Sequence, residues 1–200
     1  MILEVLNVSG LIAFSASGVL KGVKSKLDLF GVVVLAVITS LGGGTLRDVI
    51  LNRVPMSLVN ERDMYLVIVV ALITYFIAKK VENYLMFIKI LDAAGLALFT
   101  VVGAEAGFNA GLGALGVILM GTCTGVAGGA IRDMLVQEIP FVLKEEIYAV
   151  FSIIGSLIYW AGMKYLSIDE NMLIYFIIAF IFIGRVVAIK FNMQLPKIEE

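Results

Sequence analysis

The sequence predicts an all-α membrane protein with seven transmembrane helices, arranged as two inverted three-helix repeats followed by a seventh helix. Of its 200 residues, 61% are hydrophobic and only 16% are charged, whereas soluble domains average about 45–50% apolar and about 25% charged. The apolar residues form runs long enough to cross a hydrocarbon layer of about 30 Å, which takes about 20 helical residues. Two further observations predict the inverted repeats: the sequence contains an internal repeat, and each repeat contains an odd number of helices.

The repeat relates each residue of the first half to the residue 85 positions later. Sixteen of the 52 positions from 10 to 61 are identical to their counterparts, without any insertion. Two Gly-Gly-x-x-Arg-Asp motifs, ending at Asp48 and Asp133, stand in register. This regularity predicts a single transmembrane domain over 1–200, with repeat one at about 1–80 and repeat two at about 86–165.

Charged clusters, glycines and prolines mark the breaks between the predicted helices. The predicted ranges are 2–21, 29–51 and 64–79 in repeat one, 90–107, 114–136 and 147–165 in repeat two, and 172–190 for the extra helix. Because each repeat contains an odd number of helices, the second repeat must enter the membrane from the opposite side. The two repeats are therefore expected to be inverted.

The basic residues that flank these helices collect mainly on one side of the membrane. The larger group is Lys21, Lys24, Lys26, Lys79, Lys80, Lys89, Lys144, Lys190 and Lys197, and the smaller group is Arg53, Arg62 and Lys164. The positive-inside rule makes the lysine-rich side cytoplasmic. We therefore expect the N-terminus outside and the C-terminus in the cytoplasm.

Charge and cysteine content exclude several classes of function. A net charge of -1 and the absence of histidine leave no basic patch for nucleic acid, so no nucleic-acid partner is expected. The one cysteine, Cys123, lies in an apolar run and is interpreted as a small apolar filler. No Cys/His metal site and no pair of nucleophile and base can be assembled, so we expect neither a cofactor nor an enzyme.

Buried charges follow glycines within the second and fifth predicted helices. The segments are Gly42-Gly43-Gly44-Thr45-Leu46-Arg47-Asp48 and Ala127-Gly128-Gly129-Ala130-Ile131-Arg132-Asp133. Each glycine costs about 1 kcal/mol in a helix interior relative to alanine, so we expect loosened or kinked helices whose freed carbonyls line a wet cavity. Close packing of helices would explain the glycines but not the charges, which cost at least about 2.5–3.5 kcal/mol at this depth.

Two arginines at this depth need partners. Because adjacent helical residues point in different directions, we expect cross-repeat pairs, Arg47 with Asp133 and Arg132 with Asp48. One turn before the glycines, Thr39 and Thr124 either bond to their own helices or face the cavity and replace ion hydration.

Several other residues receive simpler interpretations. Asp92 and Glu105, near opposite ends of the fourth helix, fit a solvated interfacial position at least as well as a pore-lining one. Arg185 is expected to snorkel to the cytoplasmic surface. Pro55 and Pro140 are expected to end the second and fifth helices.

The doubled Gly-Gly-x-x-Arg-Asp motif, one per three-helix repeat in a seven-helix chain of this length, resembles the prokaryotic branch of the trimeric intracellular cation (TRIC) channels. Members of this branch are also labelled glycine-transporter-domain proteins, and the resemblance covers residues of about 5 to 190. It implies a homotrimer in the lipids of a prokaryotic cell membrane, with a pore for K⁺ and also Na⁺ in each protomer. The implied pore residues are Gly42, Gly43, Gly44, Arg47, Asp48, Gly128, Gly129, Arg132 and Asp133.

The residues themselves leave two functions open. In a cation channel, carbonyls and aspartates would offer oxygen ligands to a permeant ion without a fixed metal site, and the arginines would be neutralised. In a secondary transporter of a small zwitterion such as glycine, Arg47 and Arg132 would clamp the substrate carboxylate. The family resemblance favours the channel.

Overall fold

The computed structural model describes residues 2–78, 80–81, 83–144, 147–166 and 168–193, and every regular element within them is an α-helix. The elements are α1 (Ile2–Lys24), α2 (Leu29–Ile50), α3 (Met56–Val59), α4 (Glu61–Ala78), α5 (Tyr84–Asn109), α6 (Ala114–Leu135), α7 (Phe141–Lys144), α8 (Ala149–Tyr165) and α9 (Glu170–Phe191). Helices occupy all seven predicted positions, and the one-turn helices α3 and α7 are additional. Lys79 and Lys197, which were counted for the orientation, lie outside the described residues.

The helix boundaries follow local capping chemistry. The start of α5 lies six residues before the predicted one, because the Asn83 side chain accepts a hydrogen bond from the Met86 amide and caps the helix there. Asp28 caps α2 in the same way through the Gly31 amide. The Asn83 cap thus adds a length of helix that hydropathy alone does not reveal, whereas α2 begins where it was predicted to begin.

Five of the described helices, α1, α2, α5, α6 and α9, are long and apolar enough to cross a membrane. The remaining long helices, α4 and α8, have 18 and 17 residues. Large apolar side chains point outward, as with Phe30, Leu115 and Met172, which are 77%, 82% and 70% exposed. Such an apolar exterior suits lipid and identifies an integral, multi-pass membrane protein.

Small hydroxyl side chains lie among the buried apolar residues between the helices. The buried hydroxyl side chains are Ser15, Ser17, Thr39, Ser40, Thr100, Thr124, Ser152 and Ser156. Small and hydroxyl residues let membrane helices pack closely, because the lipid supplies no hydrophobic force between them. These hydroxyls therefore add close contacts and hydrogen bonds to the apolar packing of the core.

Contacts between helix ends show that α1 and α4 begin at the same end of the bundle and that α1 and α6 finish at the same end. Asn7, near the start of α1, donates to Asp63, near the start of α4, at 2.9 Å. Lys21, near the end of α1, donates to Glu138, just beyond the end of α6, at 2.8 Å. We call the end of the bundle with Asn7 and Asp63 the Arg47 end, because α2 finishes there, and the opposite end the Lys21 end.

Helices α2 and α6 cross with their backbones in direct contact. A Cβ atom added at Gly43 would collide with the carbonyl oxygen of Thr124, and one added at Gly128 would collide with the carbonyl oxygen of Thr39. The two contacts are equivalent under the 85-residue offset. The glycines at the crossing are thus required by the close approach of two backbones.

Neither helix is broken at its glycines. The helix α2 continues through Gly43, and α6 continues through Gly128. The hydroxyls of Thr39 and Thr124 each donate to the carbonyl four residues earlier in their own helix, at 2.6 Å. Close packing therefore explains these glycines better than the expected loosening of the helices does.

Replacing either crossing glycine should separate the two helices. We expect Gly43→Ala and Gly128→Ala to lower the free energy of unfolding by about 1–3 kcal/mol, the usual cost of overpacking. Gly42→Ala is the control, because its new methyl group would meet Ile131 at an ordinary 3.5 Å. Thermal unfolding in detergent measures the difference, and three equally stable variants would contradict the packing interpretation.

Candidate functional site

The same backbone path follows each Arg-Asp motif. Beyond α2 and α6, Asn52 and Gln137 adopt left-handed conformations, with φ of 53° and 58°. The amide of the following residue then donates to the backbone carbonyl of Asp48 or Asp133, at 2.8 and 2.9 Å. This closure is the usual C-terminal cap of a helix that ends in a left-handed residue.

Each motif aspartate also ties its helix end to the one-turn helix that follows. Its Oδ2 atom accepts a hydrogen bond from the first amide of the next element, at 2.9 Å between Asp48 and α3 and at 3.1 Å between Asp133 and α7. Pro55 and Pro140 immediately precede these one-turn helices. The prolines therefore introduce α3 and α7, whereas the left-handed residues end α2 and α6, which corrects the expectation from sequence.

Each motif arginine pairs with the aspartate next to it. Arg47 Nη2 lies 2.7 Å from Asp48 Oδ1, and Arg132 Nε lies 3.0 Å from Asp133 Oδ1. The predicted cross-repeat pairs, Arg47 with Asp133 and Arg132 with Asp48, are wrong. Beyond their crossing the helices run to opposite ends, and a rise of 1.5 Å per residue carries each motif about 7 Å from it. The flexible arginine stem also lets the guanidinium reach sideways to its neighbour.

At the Lys21 end the arginine belongs to a fully buried network of charges. Arg132 Nη1 donates to Asp92 Oδ1 and to Ser17 Oγ, both at 2.7 Å. Lys21 Nζ lies 3.2 Å from Asp133 Oδ1, and the side chains of both residues are 0% exposed. Two cations and two carboxylates thus compensate one another out of contact with solvent, which a lone buried charge could not do.

Further groups connect this network to its surroundings. The Tyr148 hydroxyl donates a short hydrogen bond to Asp92. Lys21 also bonds to Glu138, and this hydrogen bond lowers the pKa of the Glu138 carboxyl below its ordinary value. The Phe141 ring lies 4.9 Å from the Lys21 nitrogen, so that apolar and aromatic surface covers the network from the loop side.

Two interpretations made from the sequence therefore change. Asp92 is fully buried and paired with Arg132, so it is not a solvated interfacial residue. Arg185 does not snorkel, because it is 1% exposed and its guanidinium carbon lies 4.5 Å from the centre of the Tyr148 ring. Arg132 on α6 compensates the charge of Asp92 without the help of water, and the Tyr148 ring covers the guanidinium of Arg185.

The Arg47 end holds the same motif in a looser setting. There the Arg47 side chain is 11% exposed, whereas that of Arg132 is 0% exposed. A cavity of about 40 Å³, lined by polar and apolar side chains, extends from Asn7 and Asp63 to Thr124 at the helix crossing. This volume exceeds the roughly 10–15 Å³ that a water molecule needs, so the cavity can be hydrated.

The sequence contained an unused signal for these partners. At the Arg47 end Asn7 donates to Asp63, and 85 residues later Tyr148 donates to Asp92. The offset equates Asn7 with Asp92 and Asp63 with Tyr148, so each end has one carboxylate and one neutral donor in exchanged positions. A search of the repeat for exchanged polar pairs, rather than for identities, would have found them.

The apolar exterior and the paired charges buried between the helices define an integral membrane protein. A family model described as "Glycine transporter" matches residues 4–80 and again residues 89–164. The chain belongs to this family. It is 35% identical over 198 residues to the UPF0126 inner membrane protein YadS of Escherichia coli strain K12, covering 98% of this chain and 96% of that protein. It is also 35% identical over 196 residues to the UPF0126 membrane protein YvgT of Bacillus subtilis strain 168, covering 96% and 95%.

Crystal structures of TRIC channels share the fold. One of an orthologue from Rhodobacter sphaeroides gives a TM-score of 0.92 at 30% identity and covers 96% of this chain and 99% of that one. Another, of a prokaryotic TRIC channel in 0.5 M KCl, gives a TM-score of 0.90 at 38% identity and covers 98% and 99%. These similarities confirm the resemblance that was identified from the doubled motif.

The two motif aspartates should differ in what their loss does to stability. Asp133→Ala would remove the carboxylate shared by Arg132 and Lys21, and breaking such a buried pair costs about 3–5 kcal/mol. Asp48→Ala should cost less, because Arg47 borders a cavity that water can enter. Thermal unfolding of both variants in the same detergent tests this order, and equal losses would contradict it.

Proposed function

We propose that the protein is a channel for monovalent cations, K⁺ and also Na⁺, with a pore inside each protomer between α2 and α6. The observation that carries the proposal is the cavity that ends at Thr124, where these two helices cross. The fold shared with TRIC channels supports the same function. No bound metal is needed, because the cation is what passes through.

The groups along the cavity suit a cation that passes without binding tightly. Asp63 and Asp48 place carboxylates beside the path, and Asp48 neutralises Arg47, which would otherwise repel cations. At the crossing, the carbonyl oxygens of Thr39 and Thr124 face the glycines of the opposite helix. This backbone contact leaves no space for an ion, so we infer that conduction requires the two helices to separate at the crossing.

In this conformation, the barrier to the passage of cations would lie at the Lys21 end. Where the Arg47 end has a cavity, the equivalent positions contain the bonded side chains of Arg132, Asp92 and Tyr148. We infer that conduction requires Arg132 and Lys21 to move aside, since a buried cation in the path repels another cation. The trigger for this movement would act on the ion pairs of the network.

The same proposal includes the number of membrane spans, the orientation of the repeats and the oligomeric state. We propose that α4 and α8 complete seven spans, since 17–18 helical residues cover about 25–27 Å at 1.5 Å per residue. The repeats at about 1–80 and 86–165 would be inverted, with the Lys21 end cytoplasmic, the N-terminus outside and the C-terminus inside. Apolar faces left exposed on the protomer would contact lipid and two further copies in a homotrimer.

A transporter of a small zwitterion is the second candidate, favoured by the description of the matched family model. In the form predicted from sequence, Arg47 and Arg132 would clamp a substrate carboxylate. Both guanidinium groups are instead engaged by aspartates of the protein itself. A substrate would have to displace those carboxylates, which makes this form of the transporter the weaker candidate.

Single-channel recording of the reconstituted protein in KCl tests the principal proposal. We expect unitary K⁺ currents, and Asp63→Asn should reduce their conductance by about twofold or more by removing one charge beside the path. Glu61→Gln, on the exposed face of the same helix turn, is the matched control and should conduct as the unaltered protein does. Slow, saturable flux without unitary currents would instead indicate a carrier.

The oligomeric state has its own test. Native mass spectrometry of the protein released from mild detergent should show three copies with bound lipid, because the trimer would cover apolar faces of each protomer. Crosslinking in membranes before extraction provides the control against dissociation by detergent. A protomer that remains single or paired under both conditions would contradict the trimer.

A further inference from the structure

An apolar groove of about 440 Å³, which we call the outer groove, lies on the surface of the bundle where α2, α3, α4 and α6 meet. Apart from Gly42 and the hydroxyl side chains of Thr45 and Ser57, its lining residues are large and apolar. Two of them, Leu46 and Val49, are 39% and 59% exposed. The outer groove therefore opens on the apolar exterior that faces lipid.

The outer groove shares a wall with the cavity of about 40 Å³ at the Arg47 end, because Leu41, Thr45 and Ser57 line both of them. The hydroxyl groups of Thr45 and Ser57 form a hydrogen bond of 3.2 Å in this wall. Ser57 belongs to α3, none of whose four residues is buried. Because few contacts hold such a segment, the Ser57 side of the wall can move without disturbing the core.

The cavity behind this wall carries an excess of negative charge. Its charged lining residues are Arg47, Asp48 and Asp63, one cation against two anions. Arg47 is paired with Asp48. The Asp63 carboxylate accepts a hydrogen bond from the neutral side chain of Asn7, and it forms an ion pair with no cation among the described residues. A positive charge that enters the cavity would therefore be attracted to Asp63.

The Lys21 end lacks this combination of features. The offset of 85 residues equates Thr45 and Ser57 with Ala130 and Val142, which have no hydroxyl group, and it equates Asp63 with a tyrosine. The interior at that end is already filled by the paired charges of the buried network. An apolar groove that leads through a wall of hydroxyl groups to an unpaired carboxylate is thus a property of the Arg47 end.

We propose that the outer groove and this cavity together bind a lipid-soluble amine, a ligand with an apolar chain that ends in a primary ammonium group. The chain lies in the outer groove, and the ammonium group passes between Thr45 and Ser57 to the Asp63 carboxylate. An alkylammonium group remains protonated at neutral pH, as the lysine side chain does. The ligand reaches the groove from the bilayer, because burial of its chain draws it out of water. A neutral alcohol would lack the charge that Asp63 attracts, and a short amine would leave the groove unfilled.

Competition against a photoreactive probe tests the proposal. The full-length protein in phosphatidylcholine nanodiscs is labelled with decylamine that carries a diazirine on its chain, and mass spectrometry locates the labelled residues. Label should appear on residues of the outer groove such as Leu46 and Met64. Unmodified decylamine should displace this label at a concentration about tenfold or more below that of decanol or of ethylamine.

The chain offers an internal control in a second apolar groove, of about 370 Å³, on α9. Its lining residues, which include Phe176, Phe180 and Ile183, carry no polar or charged side chain. An amine has no advantage over an alcohol in such a groove. Decylamine and decanol should therefore displace any label on α9 equally well.

Two variants separate the charge from the groove. Asp63→Asn should reduce the preference for decylamine over decanol about tenfold, whereas Glu61→Gln, exposed on the same helical turn, should leave the preference unchanged. Gly42→Leu should reduce labelling by both the probe's chain and its ammonium group, because the new side chain would occupy the outer groove. A Cβ atom at this position meets Ile131 at an ordinary 3.5 Å.

Three results would overturn the inference. The first is equal displacement by decylamine and decanol in both grooves, which would mean partition into lipid only. The second is an outer groove without label, as expected if a second copy of the chain covers it. The third is an unchanged preference for decylamine in Asp63→Asn, which still decides if Gly42→Leu does not fold. The experiment measures binding and not conduction, so K⁺ currents without amine binding would overturn this inference and leave the channel proposal standing.

Discussion

The contact between the backbones of α2 and α6 determines where the charged groups of this protein lie. With no methyl group between Gly43 and the Thr124 carbonyl, or between Gly128 and the Thr39 carbonyl, the helices meet at one level and separate on both sides of it. The polar interior is thereby divided into two halves that face opposite ends of the bundle. Each Arg-Asp motif lies about one turn beyond the contact, so each half receives one ion pair. The capped helix end and the one-turn helix then hold that pair in place.

The same motif has different consequences in the two halves because water can reach its surroundings at one end and not at the other. At the Lys21 end, Arg132 donates from Nε and Nη1 to Asp133, Asp92 and Ser17, and these side chains replace most of the hydration that burial removes, whereas Nη2 has no partner among the described residues. At the Arg47 end, Asp48 is the one carboxylate paired with Arg47 among the described residues, and an adjacent cavity admits water. The arrangement at the Lys21 end needs a specific set of partner side chains and fills the interior there. The second leaves space that an ion or a ligand can occupy.

Much of the fold followed from the sequence, because hydropathy and the ungapped repeat depend on many residues at once. The positions of the seven long helices and the two motifs were predicted correctly for that reason. The ion pairs were not, since the direction of a Cβ atom does not limit the reach of an arginine such as Arg132. Asp92 was also misjudged, because it is close to a helix end in sequence but is covered in space by another helix. Burial near a helix end depends on the neighbours, which a single sequence does not specify.

The differences between the repeats carry as much information as the identities. The 16 identical positions include the crossing glycines and the Arg-Asp motifs, which maintain the scaffold in both halves. The charged partners around them have diverged, with Lys21 opposite Ala106 and Glu138 opposite Arg53. Two identical halves would be sealed at both ends or open at both, and two equal seals would have to break together for an ion to pass. In the proposed channel, the divergence of these charged partners would concentrate the barrier to ions at one end, so that a rearrangement of Lys21 and Arg132 would open the pore.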